Sequence, residues 1–66
     1  MMYVVKDQDK RIRTFKTIER METFMKKRSG VYFVIENKVA FLVVTVVKSE
    51  NCKLTVLKTV RVDNYL

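Results

Sequence analysis

Val39-Ala40-Phe41-Leu42-Val43-Val44-Thr45-Val46-Val47 is apolar at every position but Thr45. A strand with one face in water alternates apolar and polar residues, whereas a continuously apolar one is covered on both faces. The remainder of this 66-residue chain holds one good helical segment, enough to cover one side of a sheet. Association, with another copy or with a partner, is therefore expected to cover the second side.

Working outward, residues 31–36, 39–48 and 52–62 are rich in β-branched side chains and are separated by Asn37-Lys38 and Ser49-Glu50-Asn51. They read as a three-stranded meander. Upstream, residues 2–6 and 11–16 flank the turn cluster Asp7-Gln8-Asp9-Lys10 and read as a hairpin. Between hairpin and meander, Ile18, Met21, Phe24 and Met25 recur at helical spacing. Thr17 precedes them as an N-cap, Lys26-Lys27-Arg28 complements the helix dipole, and Gly30 follows as a left-handed stop. A helix over 17–28 results. The fold class expected is α+β: a small ββαβββ domain, residues 1–66, with one helix packed on one face of a mostly antiparallel five-stranded sheet.

The strand register assigns the faces. A two-residue loop at Asn37-Lys38 puts Ile35 opposite Ala40, Phe33 opposite Leu42 and Val31 opposite Val44. A three-residue loop at 49–51 then adds Leu54, Val56 and Val60 to the face of Phe33 and Leu42. A two-residue loop would instead place Lys53, Thr55, Thr59 and Arg61 there. Burial favours the three-residue loop. The helix is then expected on the face of Phe33, Ile35, Leu42 and Val44, with Tyr32, Val34, Phe41, Val43 and Leu57 on the outer face as a protein interface. Lys58 falls on the inner side, a misfit that suits an edge strand.

Lys and Arg total 14 against 7 acidic residues, giving a formal net charge of +7. Such an excess favours anionic partners, or simply keeps a Val-rich chain dissolved. A domain this small buries only about 60% of the surface of its unfolded chain, so oligomerisation is a common remedy. The single Cys52 cannot form an internal disulfide, no apolar run reaches the length of a membrane-spanning helix, and Met1 to Val5 runs at once into Lys6, Asp7 and Asp9. These features read as a cytoplasmic protein without a leader and without a membrane role. Scarce Gly, Ala and Pro beside abundant Lys agree with an AT-rich coding genome, as in a phage or mobile element.

No catalytic constellation is visible. The chain lacks His, its carboxylates are scattered, Asp7 and Asp9 read as turn formers, and Cys52 has no second Cys or His beside it. Gly30 is alone, so no phosphate loop exists. No catalytic residue, metal ligand, cofactor or small-molecule substrate is assigned. The basic residues fall into groups instead. Lys10, Arg11, Arg13 and Lys16 surround the second strand, where Arg11, Arg13 and Phe15 share a face suited to nucleic acid. In the alternative reading the arginines are solvated and Phe15 packs under the helix. Lys53 and Arg61 belong to the last strand, near Tyr32, Phe41 and Leu57 in this register.

Two readings follow. The first is a small basic non-enzymatic binding protein, a regulator or inhibitor that self-associates as a homodimer or docks on a larger host protein through its outer sheet face. The alternative is a nucleic-acid-binding module using the basic second strand and a sheet face. The outer face is drier than a typical nucleic-acid surface, which favours the first.

Overall fold

The computed structural model describes residues 2–63. Its elements run β1 (Tyr3–Lys6), β2 (Ile12–Phe15), α1 (Ile18–Lys26), β3 (Gly30–Asn37), β4 (Phe41–Glu50) and β5 (Lys53–Asp63). The strands form one sheet in the order β2-β1-β3-β4-β5, with every neighbouring pair antiparallel. The α+β class and the element order match the expectation, and β5 lies at a sheet edge.

Local chemistry accounts for the boundaries. The Asp7 carboxylate accepts from the backbone N–H groups of Asp9 and Arg11, both at 2.9 Å, and so folds the turn between β1 and β2. Thr17 caps α1, its hydroxyl accepting from the Arg20 amide at 3.3 Å. The helix ends two residues before the expected Arg28, with Lys27 as C-cap. Gly30 does not occupy a left-handed cap. It opens β3 at φ +147°, a conformation that favours glycine.

The faces are the reverse of those expected. Tyr32, Val34 and Val47 lie buried with Tyr3, Val5, Met21 and Met25, so α1 covers their side of the sheet. Phe33, Ile35, Leu42, Val44 and Val46 lie on the opposite side, because successive strand residues point to opposite faces. Counting apolar residues along the meander favoured the Phe33 side, but β1 and β2 decide the matter. They add Tyr3, Val5 and Phe15 to the Tyr32 side. Phe15, Phe24 and Tyr32 then form a run of ring contacts, at 5.3 Å and 6.2 Å between centroids.

Both meander turns also differ from expectation. Between β3 and β4 the loop is Val39-Ala40, closed by a bond from the Lys38 amide to the Phe41 carbonyl at 2.8 Å. Ile35 therefore pairs with Val44, and Phe33 with Val46. This slip of four residues keeps the facing of every side chain. Between β4 and β5 the loop is Asn51-Cys52, with φ of 52° and 61°, the two positive values that a type I′ hairpin turn requires. This two-residue loop sends Leu54 and Val56 to the helix side, opposite Ser49 and Val47. A register shift then leaves Leu57 without a partner. Beyond this bulge Lys58, Val60 and Val62 pair with Val46, Val44 and Leu42 on the open side. The argument for a three-residue loop assumed an unbroken strand. Lys58 consequently points away from the helix rather than into the core.

One polar contact fixes the helix to the sheet. Ser49, 2% exposed, donates its hydroxyl to the Met25 carbonyl at 2.6 Å. Met25 is itself 1% exposed. The Met25 carbonyl, which also accepts from the Arg28 amide at 3.2 Å, thus gains a second donor from β4. Ser49→Ala removes that buried hydrogen bond and should destabilise the fold by about 1 kcal/mol. The thermal midpoint should fall by roughly 4–8 °C per kcal/mol, read by circular dichroism. Cys52→Gly should do the reverse. Relief of a left-handed residue, about 1–2 kcal/mol, exceeds the ~0.5–1 kcal/mol entropic cost of glycine. A raised midpoint for Cys52→Gly and a lowered one for Cys52→Val are the expected pair.

Candidate functional site

The open sheet face is built as cross-strand rows. Val60, Val44, Ile35, Val4 and Thr14 form one row across all five strands. Lys58, Val46, Phe33, Lys6 and Ile12 form the next. Val62 and Leu42 extend the apolar area toward one end of the sheet, while Lys48 and Thr55 lie toward the hairpin end. Phe33, Val62 and Ile12 are 37%, 44% and 63% exposed, and the aliphatics between them are half-buried by their own neighbours. No helix among the described residues crosses this face. A continuous apolar surface with lysines gathered toward one end is therefore left in contact with water, and such patches mark association sites.

The sequence-nominated interface residues are dispersed. Tyr32 and Val34 are buried beneath α1, so they present no outer surface. The cause is the reversed facing described above. Val43 and Phe41 are half-buried on the helix side of β4, and Leu57 sits at the bulge. Arg61 lies 4.0 Å over the Phe41 ring and donates to the Asp63 carboxylate at 3.0 Å. Lys53 pairs with Glu50 beside the hairpin turn, whereas Arg61 pairs with Val43 toward the other end of β5. Eight positions apart at about 3.3 Å each, these two cations do not share a site.

The second-strand cluster divides as well. Arg11 and Arg13 point to the helix side and line a cleft of about 80 Å³ with Val5, Asp7, Phe24, Arg28 and Tyr32. Lys10 and Lys16 are exposed and lie outside that lining. Phe15 is half-buried against the core, so its ring is taken by packing. Arg28 is the member that sequence reasoning left out. It follows Phe24 by four residues, the helical spacing that brings a cation over a ring, and its guanidinium carbon lies 4.9 Å from the Phe24 centroid. Arg13 reaches the same ring at 5.0 Å. Two guanidinium groups thus flank one aromatic side chain, and Arg11 lines the same cleft.

Elsewhere the titratable groups are scattered. Among the described residues no three His, Cys, Asp or Glu side chains are grouped to hold a metal ion. Cys52 is exposed at the hairpin turn. No described helix is long and apolar enough to cross a membrane. Comparison with family models, curated proteins and solved structures finds no match to this chain.

Proposed function

We propose that this chain is a small non-enzymatic binding protein of the regulator or inhibitor kind, which works by covering its helix-free sheet face with another protein surface. The observation that carries this reading is the unbroken apolar row of Val60, Val44, Ile35 and Val4, flanked by Phe33, Val46, Leu42 and Val62.

The occupant that the geometry favours is a second copy of the chain. The sheet is long, with molecular extents of 40 × 22 × 19 Å. Its broad face is of the order of the ~800 Å² that each partner gives to a standard interface. The lysines lie toward one end, so a two-fold axis near Leu42 and Val44 sets the lysines of one copy over the neutral end of the other. Sheets packed in this way interdigitate their inner side chains at about 10 Å separation.

Energetics support the same occupant. Removing the remaining water contact of half-buried Val, Leu, Ile and Phe side chains contributes on the order of 1 kcal/mol each. With both copies counted, the sum exceeds the lower part of the ~4–15 kcal/mol cost of association. Dimer formation would also add a second apolar layer to a domain whose present core is a single one.

Sedimentation at tens of micromolar protein should give the mass of two chains. Val44→Lys should give one chain with an unchanged circular dichroism spectrum, because position 44 faces water in the isolated protomer. Phe33→Gln should shift the equilibrium the same way with less risk to the fold. A wild-type protein that stays monomeric at these concentrations, or a Val44→Lys variant that remains dimeric, rejects the second copy as occupant.

A further inference from the structure

The cleft on the helix side of the sheet carries an inference that is independent of the open face. Arg11 and Arg13 from the β2 segment and Arg28 from the turn after α1 converge on it. None of these three takes part in an ion pair among the described residues. Asp7 is the one carboxylate of the lining, and its Oδ1 already accepts two backbone N–H groups. The lining thus carries three cations against one carboxylate, and Asp9 joins only in the depression that adjoins it. We propose that this cleft seats a phosphate of a nucleic-acid backbone.

The chemistry fits in three respects. Guanidinium groups present paired donors that match phosphate oxygens, and their weak hydration lowers the cost of contact. Packing of Arg13 and Arg28 against Phe24 restrains both side chains before any ligand arrives. The cleft's volume of about 80 Å³ has room for one tetrahedral oxyanion.

The surroundings favour a strand of repeated phosphates over a single phosphorylated side chain. On the other side of Phe24, a shallow depression is lined by Arg20 and Lys27, with Glu19 as its carboxylate. Cations thus continue along the helix beyond the cleft. A lone phosphate would occupy the cleft and leave Arg20 and Lys27 unused, whereas a backbone engages both stations. The net charge of +7 draws a polyanion toward the surface from a distance. Since the Phe24 ring is already flanked by guanidinium groups, the contact is with phosphates and carries little sequence preference.

Fluorescence anisotropy with labelled oligothymidylate tests the site. Binding should weaken with salt between roughly 50 and 200 mM, with a log–log slope of about −2 to −3 for three to four contacts on a single strand. Arg13→Gln with Arg28→Gln should weaken binding about tenfold at the lower salt and flatten the slope by about 1.4. Arg11→Gln, which touches no aromatic ring, provides the same test if the double variant fails to fold. Lys38→Gln with Arg61→Gln removes equal charge from the opposite end of the sheet and should leave the slope unchanged. Equal losses in both double variants would assign binding to diffuse net charge and overturn the site. A singly phosphorylated peptide that competes as well as the oligonucleotide would overturn the backbone assignment, as would the absence of salt-sensitive binding.

Discussion

The hydroxyl of Ser49, held against the Met25 carbonyl in the last turn of α1, ties the helix to one side of the sheet. Strand side chains alternate strictly, so once Ser49 faces the helix, Val47 faces it too and Val46 and Val44 cannot. The parity then passes through the hydrogen-bonded ladder to Tyr32 and Val34 on β3, and onward to Tyr3 and Val5 on β1. A single buried donor cannot supply the energy of the fold. It holds the phase that the packing of β1 and β2 decides, and the aromatic contacts of Phe15, Phe24 and Tyr32 reinforce the same choice.

Much of the architecture was legible because local signals agreed. The Asp7 turn, the Thr17 cap, the Met21–Met25 stripe and the β-branched meander each point to one element. Facing was not legible, for two reasons. Tyr32 and Tyr3 bring large apolar areas with a polar tip, and a simple apolar count undervalues them against valine. The sequence around Leu57 also gives no sign that β5 changes phase, since Val56-Leu57 reads as uninterrupted strand. The nominated interface inherited that error: Tyr32 and Val34 are interior, while Phe33 and Val44 meet the water. The basic strand fared differently. Arg11 and Arg13 were visible as a pair, but their third partner arrives from 15 residues downstream of Arg13 through the helix, a meeting that only the tertiary fold creates.

The two surfaces divide the chemistry of the chain between opposite sides of one sheet. The open side is aliphatic and suited to removing area from water, a contact that tolerates salt. The helix side gathers arginines around Phe24, and its contacts weaken as counterions compete. A face-to-face dimer would leave both arginine clefts outward, one on each flank of the assembly. Under the two proposals a polyanion and a second copy would not contend for the same residues, and ionic strength would separate the two associations.

Leu57 is more than a local irregularity in β5. By occupying a position that β4 does not answer, it lets one strand serve two clients in sequence: Leu54 and Val56 supply the interior, then Val60 and Val62 supply the exterior patch. The strand behaves like a sentence whose metre shifts by one beat at mid-line. Were Leu57 instead paired with Val46, even metre would return, Val60 and Val62 would turn inward, and Thr59 and Arg61 would stand where the aliphatic patch had been. The contribution of β5 to the outer patch thus hangs on a one-residue change of frame.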